Sequence, residues 1–321
     1  MKPHRVLVPV ILCLAPVVFY LWLSQTRAST GVKGRTQNEQ AGNVYGSPVH
    51  LADLEDQSIN ESSGIVASRR NADLFWTHND SGDGPFIYAF DRQGKRRGVW
   101  KITGASATDW EDIAIGPGPQ RGRSYIYIGD IGDNSNKRDE IIVYRVLEPL
   151  IASEDWSSTK KSPRNTSPAD VIRLKYPDGK HNAETLLVHP STGDLYIVTK
   201  VMGGSAGVYK LRAPLPKSGV TTRIAEVRFS SRTIGLITGG DISPDGRRIV
   251  LCDYFGACEF VLPKRQGVAF DSIWKEPPVL ISLGTRKQGE AICYTADGSA
   301  LLATSEGLPC PLIEIPRRTK E

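Results

Sequence analysis

The sequence predicts an all-β protein whose main domain is a single β-propeller. Five short segments share one pattern at intervals of 48, 73, 56 and 50 residues, and each is followed by strands rich in β-branched and aromatic residues. No sustained helical periodicity occurs beyond the N-terminal leader. Glycine (31) and proline (21) together make up 52 of the 321 residues, which favours many turns.

The first element, residues 1–28, is predicted to be a signal anchor or a signal peptide. Residues 6–23, VLVPVILCLAPVVFYLWL, carry no charge and follow Lys2 and Arg5. This length reaches the lower limit for a membrane-spanning helix, and the absence of a clean cleavage site favours a retained transmembrane anchor. We expect the rest of the chain to be exported: membrane-anchored on the extracytoplasmic side, or secreted or periplasmic if the leader is cleaved. Residues 29–46 are polar and predict a flexible tether.

The net charge indicates which partners to expect. The chain has a formal charge of +5, but Lys2, Arg5 and Arg27 lie in the leader, so the remainder carries 37 − 35 = +2. This balance excludes charge-driven nucleic-acid binding as a first interpretation. The expected partners are the membrane, through the N-terminal segment, and an envelope ligand or protein, and we expect a monomer.

The five repeated segments align on the apolar residue that follows a polar pair. They are ESSGIVAS (61–68), DWEDIAIGP (109–117), NAETLLVHP (182–190), GGDISPDG (239–246) and GEAICYTADG (289–298). The alignment places Ser63, Glu111, Glu184, Gly240 and Glu290 in one column. The longest interval contains residues 153–170, whose Ser, Pro and charge content predicts an inserted surface loop.

Each repeat continues into a second, a third and a fourth β-rich stretch, as in the four-stranded blades of a propeller. The fourth stretch that the last repeat lacks is found at the start of the domain, as PVHLADL (48–54). We therefore predict a propeller over residues 47–316 that is closed by an N-terminal strand joining the last blade, with a tail at 317–321. Five blades are expected, with six as the alternative, and a β-sandwich would not explain the shared register.

The cysteine count fits an oxidising compartment. Outside the leader there are four cysteines, an even number. Cys252 and Cys258 flank a plausible hairpin tip and predict one disulfide, which leaves Cys293 and Cys310 for a second. Four buried thiols are the alternative.

The ring places the starts of first strands and the ends of second strands at the same mouth of the channel. First strands contribute Ser63, Glu111, Glu184, Glu290 and Asp241, which lies one place beyond its column. Second-strand ends and the following loop contribute Asn79, Asp80, Asp130, Asp133, Asn134, Lys200, Asp253 and Glu306. We expect Glu111, Glu184, Glu290 and Asp241 to ligate a metal and the others to line a ligand site.

Carboxylates that converge on a narrow channel repel one another unless protons or a cation neutralise them. An oxygen-rich site without sulfur suits a hard ion, so we expect the cofactor to be a divalent cation, Ca²⁺ in preference to the stricter Mg²⁺. Two alternatives stay open. The acids could bond to backbone amides of neighbouring blades, or the mouth could hold an organic cation.

Candidates for catalysis are few, so the sequence leaves open whether the protein is an enzyme. His78 adjoins Asn79 and Asp80, and His181 precedes Glu184 by three residues, so either is a candidate general base or metal ligand. A hydrogen-bonded residue at a strand end is the competing interpretation for both. No G-x-S-x-G, P-loop or H-E-x-x-H motif occurs.

Several runs resemble a family of exported bacterial propellers grouped with phytase-like and regucalcin-like proteins. They are HNDSGDGPFIYAFDRQG, DWEDIAIGPG, YIYIGDIGDN, VYRVLEP, QGEAICYTADG and TSEG, and the resemblance covers residues 58 to 316. It implies a divalent cation at the channel mouth, onto which Glu111, Glu184 and Glu290 map by repeat position. The fourth repeat departs with Gly240-Asp241 and the first with Ser63. A phytase would also need several basic residues at the mouth, where the sequence offers only Lys200.

Three functions follow as hypotheses. The first is an envelope propeller that binds a divalent cation and presents it to a ligand or partner. The second is a metal-dependent hydrolase of a phosphoester, lactone or ester, with His78 or His181 as base. The third is a non-catalytic scaffold for protein interactions, because fold alone does not choose between these.

Overall fold

The computed structural model describes residues 44–80, 82–228 and 236–318. Within these ranges, two short 3₁₀ helices, Ser153–Ser157 and Phe270–Lys275, occur among the β-strands. The strands of the described residues are, in chain order, β1 (Val49–Asp53), β2 (Ser62–Ala67), β3 (Leu74–Asn79), β4 (Phe86–Asp91), β5 (Arg96–Lys101), β6 (Trp110–Pro117), β7 (Ser124–Asp130), β8 (Ile141–Leu147), β9 (Arg164–Asn165), β10 (Asp170–Lys175), β11 (Ala183–Val188), β12 (Leu195–Thr199), β13 (Ala206–Leu211), β14 (Ser218–Val220), β15 (Thr222–Val227), β16 (Ile237–Ile242), β17 (Arg248–Asp253), β18 (Gly256–Val261), β19 (Val279–Ser282), β20 (Ile292–Tyr294), β21 (Ala300–Ala303) and β22 (Pro311–Pro316).

These strands form five sheets, the five blades of a β-propeller. Four blades run in chain order from the inside outwards: β2-β3-β4-β5, β6-β7-β8-β10, β11-β12-β13-β15 and β16-β17-β18-β19. The fifth is β20-β21-β22 with β1 as its outer strand, antiparallel to β22. The prediction of five blades closed by an N-terminal strand is therefore confirmed, and six blades are excluded.

The inner strands contact one another around the whole ring, in the order β2, β6, β11, β16, β20 and back to β2. Because second strands run antiparallel to first strands, the beginning of each first strand lies beside the end of its second strand. Residues from all five repeats thus meet at one end of the channel, as the sequence predicted.

Two short strands extend blades beyond the four-stranded pattern. The insertion predicted at 153–170 contributes β9, which pairs in parallel with β5 of the first blade. Arg97 stacks on Trp156 there, with 4.1 Å between the guanidinium carbon and the ring centroid. Strand β14 likewise pairs in parallel with β10 of the second blade. Both cover outer blade edges that would otherwise be open to pairing with another chain.

The core lies between the blades. In the described part of the chain, apolar side chains form clusters that each join two neighbouring blades, such as Tyr196 of the third blade with Phe260 of the fourth. Both faces of each sheet are therefore buried, which explains the continuous apolar runs in the inner strands.

A buried carboxylate links the two ends of the described chain on the side of the ring opposite the mouth. Glu259 of β18 is fully buried and accepts hydrogen bonds from the hydroxyls of Tyr45 (2.6 Å) and Tyr294 (2.9 Å). Arg317 contributes an ion pair at 2.9 Å. Tyr45 and Arg317 also form a backbone bridge. The residues on either side of the propeller strands are thus fastened to the fourth blade.

The structure corrects the predicted disulfides, because all four described cysteines are free and buried. Cys258 pairs with Leu251 across β17 and β18, whereas Cys252 pairs with Ala257. Since neighbouring strand residues point to opposite faces, Cys252 and Cys258 lie in different interblade clusters. Cys293 and Cys310 occupy one cluster, also as thiols.

The predicted leader at 1–28 lies outside the described residues, as does most of the predicted tether. Within the described ranges, no helix is long and apolar enough to cross a membrane.

Candidate functional site

The acidic mouth is built on β-bulges in the inner strands. The register with the second strand shifts at Ser63, Glu111, Glu184 and Thr238, each one residue past the first pair of its strand. A bulge adds one residue and redirects its side chain. The redirected residue is a glutamate in the second and third blades, a serine in the first and a threonine in the fourth.

The bulge in the fourth blade changes the repeat equivalence from which Asp241 was predicted to ligate a metal. Thr238, not Gly240, is the equivalent of Glu111 and Glu184, so Asp241 lies three residues deeper in its strand. Its carboxylate accepts backbone N–H groups of Ile242 (2.8 Å) and Tyr294 (2.9 Å), which joins the fourth blade to the fifth. Burial raises the pKa of Asp241 to about 6. Its position fits a carboxylate that bridges blades, the alternative that the sequence left open.

Three carboxylates come together at the mouth between the first and second blades. Asp80, Asp109 and Glu111 each offer an oxygen, and these oxygens all lie within 4.8 Å of one another. Asp109 and Glu111 approach closely because Gly132 stands opposite them. A Cβ atom at Gly132 would overlap Glu111 Oε1 and Asp109 Oδ2. We call Asp80, Asp109 and Glu111 the acidic triad.

The electrostatics of the acidic triad favour a neutralising partner. Burial raises the pKa of Glu111 well above its usual value, and the charges of Glu184, Asp80 and Asp109 raise it further. Burial likewise raises the pKa of Asp109, although Arg138 opposes the change. Protons or a cation must balance these charges when the site is shielded from water.

Glu184 stands beside the acidic triad and already has a cationic partner. Lys200 Nζ donates to Glu184 Oε1 (2.5 Å) and to the Tyr254 hydroxyl (2.7 Å). Burial raises the pKa of Glu184 to about 7 even though Lys200 opposes the change. Lys200 therefore partly compensates the negative charge that Glu184 adds to the mouth.

Glu290 and Glu306 form a carboxyl pair on the fifth-blade side of the mouth. Burial, a hydrogen bond with Glu290 and the charge of Glu290 raise the pKa of Glu306 to about 9. Gln288 Nε2 donates to Glu290 Oε1 at 2.9 Å. At neutral pH Glu306 therefore keeps its proton, which it can donate in the hydrogen bond to Glu290.

Electrostatic interactions join these groups around the mouth. Glu111 interacts with Glu184, Glu184 with Glu290, and Glu306 with Asp80. The structure thus brings together Glu111, Glu184 and Glu290, which the sequence assigned to one mouth. Metal binding by these residues stays a prediction.

Several residues predicted to bind a ligand form hydrogen bonds within the protein, and ligand binding by them stays a prediction. Ser63 donates to the Glu111 carbonyl oxygen at 2.7 Å. Four other side chains accept backbone N–H groups. Asn79 accepts the amide of Glu61, and Asp130 accepts those of Thr108 and Asp109. Asp133 accepts the amides of Lys137 and Arg138, and Asp253 accepts those of Phe255 and Gly256. The Asn134 side-chain oxygen accepts from Asn182 at 3.1 Å. The bonds of Asp133 and Asp253, to amides two to five residues ahead, are turn hydrogen bonds that Asp commonly makes.

Both predicted histidines are held by hydrogen bonds, and His181 lies in the wall of a cavity that Lys200 also lines. His78 is fully buried, its Nδ1 bonds to the Asn79 carbonyl oxygen (2.8 Å), and burial lowers its pKa to about 4. His181 Nε2 contacts Asp178 and the Tyr209 hydroxyl, both at 3.0 Å. Both histidines therefore fit the competing interpretation, a hydrogen-bonded residue.

The sequence analysis missed Asp109 and Tyr254. Asp109 lies two residues before Glu111 in the DWED run, and two residues along an extended chain return to the same side. That spacing was a usable signal. Tyr254 follows the end of a second strand, but its contact with Lys200 depends on the neighbouring blade and has no sequence signal.

The fold and the mouth together define a class: a five-bladed β-propeller with a carboxylate-rich channel entrance. No protein-family model matches the chain, and no curated protein shows significant similarity to it. The resemblance to phytase-like and regucalcin-like propellers is therefore supported at the level of the propeller fold and no further.

Proposed function

We propose that this protein is an extracytoplasmic propeller that binds a divalent cation, Ca²⁺, at the acidic triad and presents it to an envelope ligand. One observation carries the proposal: Asp80, Asp109 and Glu111 bring carboxylate oxygens from two blades within 4.8 Å of one another. The extracytoplasmic location rests on the predicted leader.

The donor set and its surroundings support a hard cation. All the ligand atoms are carboxylate oxygens, the donors that Ca²⁺ prefers, and among the described residues no cysteine or histidine belongs to the group. Gly132 leaves room for Asp109 and Glu111 to converge. Irregular spacing of side chains from different strands suits Ca²⁺ better than the strict octahedron of Mg²⁺. A bound Ca²⁺ would supply positive charge that an anionic ligand can share.

A second candidate function, metal-assisted hydrolysis, is favoured by Glu184. Its pKa of about 7 is near the value expected of a general base at neutral pH. It lies beside the acidic triad, and Lys200 holds it in position at 2.5 Å. A Ca²⁺-dependent esterase or phosphatase activity that is lost in Glu184→Gln, with Ca²⁺ affinity retained, would favour this candidate over simple presentation.

The proposal is tested by thermal unfolding of the full chain in Ca²⁺, in Mg²⁺ and in chelator. We expect Ca²⁺ to raise the unfolding midpoint more than Mg²⁺ does, because an ion that binds only the folded state stabilises it. Asp109→Asn should lose most of this response. Asp170→Asn, an exposed position on the outer strand β10, should keep it. An unchanged midpoint of the wild-type protein in Ca²⁺ and chelator would reject the proposal.

A further inference from the structure

A cavity of about 450 Å³ opens beside the Glu184–Lys200 ion pair. Its walls come from the loop after β7, from residues just before β11 and β16, and from the end of β12 and the residues after it, and they include Asn134, Lys180, Lys200 and Met202. This volume lies within the range of small-molecule sites. Lys200 belongs both to the cavity wall and to the mouth, so a molecule in the cavity would lie next to the proposed cation site.

The cavity offers hydrogen-bond donors. Lys180 Nζ donates to the Lys137 carbonyl oxygen (2.7 Å) and to Asp139 (2.8 Å), and Lys200 Nζ donates to Glu184 and Tyr254. An ammonium group has three hydrogens, so within the described contacts one hydrogen of each lysine is left for a ligand. The Asn134 side chain uses its oxygen to accept from Asn182, which directs its NH₂ group away from that bond.

The paired charges of the cavity wall favour an anion with a single negative charge. Lys180 is paired with Asp139 and Lys200 with Glu184, and His181, which also lines the cavity, contacts Asp178. The wall therefore brings donors but little net positive charge. Such a wall suits a carboxylate with one negative charge better than a phosphate dianion, which is usually met by uncompensated Arg and Lys.

The remaining surface suits a sugar ring. The asparagine amides can both donate to and accept from hydroxyl groups. Val201 and Met202 supply an apolar wall, and Met202 is 78% exposed at the rim. A hexuronate unit combines one carboxylate, several hydroxyls and an apolar C–H face.

We propose that this cavity binds a hexuronate unit of an acidic polysaccharide. The carboxylate lies against Lys180 and Asn134, and the C–H face of the ring lies against Met202. The proposal rests on the proposed function, since it names the class of envelope ligand to which the mouth presents its cation.

The experiment measures binding of glucuronate, glucose and inorganic phosphate to the full chain by titration calorimetry, in Ca²⁺ and in chelator. We expect glucuronate to bind at least tenfold more tightly than glucose or phosphate. Lys180→Gln and Asn134→Ala should each weaken glucuronate binding at least fivefold. Lys217→Gln removes an exposed lysine near β14 and should have no effect.

The outcomes separate the two proposals. If Ca²⁺ binds but glucuronate does not, or binds no better than phosphate or glucose, the cavity proposal is overturned and the proposed function stands. Glucuronate binding that neither variant weakens also overturns it. If glucuronate binds and the variants weaken it, the cavity proposal is supported. An absence of Ca²⁺ binding in the same titrations would then count against the cation function alone.

Discussion

Gly132 controls how closely two carboxylates of the acidic triad approach. We predict that Gly132→Ala lowers Ca²⁺ affinity at least tenfold, because the new Cβ would occupy the space of Glu111 Oε1 and Asp109 Oδ2. Titration calorimetry with Ca²⁺ measures the change. Gly219→Ala is the matched control, since the nearest atom to its Cβ would be 3.4 Å away. Equal affinities of wild type and Gly132→Ala would contradict this account of the site.

The raised pKa values at the mouth predict how stability depends on pH. In chelator, we expect the free energy of unfolding to fall as the pH rises from 6.5 to 9. Glu184 (about 7) and Glu306 (about 9) have folded-state pKa values above those of the unfolded chain. The folded state therefore binds more protons in this range, and raising the pH removes their stabilising effect. Urea unfolding at a series of pH values measures the trend.

His78 affects the pH dependence of stability in the opposite direction, but only below about pH 6.5. Its pKa of about 4 is below the unfolded value, so His78 favours the folded state as the pH rises up to about 6.5. Glu306→Gln should flatten the decline between pH 7 and 9, whereas exposed Glu226→Gln should leave it unchanged. A wild-type stability that rises over this range would be the opposite of the prediction.

At the scale of strands, register decides which predictions succeed. The repeat alignment placed Glu111 and Glu184 on the side of the mouth, where bulges direct their side chains. In the fourth blade the aligned residue, Gly240, lies two residues beyond the bulge at Thr238, so Asp241 was assigned to the mouth although it bridges to Tyr294. A bulge has no reliable sequence signal, because it depends on the pairing with the neighbouring strand.

The alternation of side chains along a strand explains the free thiols. Cys252 and Cys258 are close in sequence but face different clusters. We predict that Cys252, Cys258, Cys293 and Cys310 all react with iodoacetamide in denaturant without reductant. Peptide mass spectrometry of protein purified from an oxidising compartment checks this, with a reduced sample as control. A peptide pair linked through any two of these cysteines would show the prediction to be wrong.

At the scale of the whole molecule, the stability of the ring depends on the contacts that hold its two ends together. We predict that Glu259→Gln lowers the free energy of unfolding by about 3 kcal/mol, because it removes a buried charge that Arg317 and two tyrosine hydroxyls share. Urea unfolding measures the loss. Glu226→Gln, an exposed glutamate on β15, is the control and should change stability by less than about 0.5 kcal/mol.

The circular fold could be predicted from the sequence because repetition is visible in it. The spacing of five repeats and the early strand at 48–54 were sufficient for five blades and their closure. The site was predictable only in part: the ring brings Glu111, Glu184 and Glu290 to one mouth, but which oxygens are already satisfied depends on contacts between blades. Asp130 and Asp133 carry carboxylates, which commonly bind ligands, yet here they accept hydrogen bonds from backbone amides.

Calcium binding at the acidic triad is the central claim, and equilibrium dialysis with radioactive Ca²⁺ tests it most directly. The measurement compares wild type with Glu111→Gln, and with Glu154→Gln as an exposed control. We predict saturable binding to wild type and to the control, with a dissociation constant of about 10⁻⁴–10⁻³ M, typical of extracellular sites. Glu111→Gln should bind at least tenfold more weakly. Absence of saturable binding to wild type, or equal binding by all three proteins, would contradict the claim.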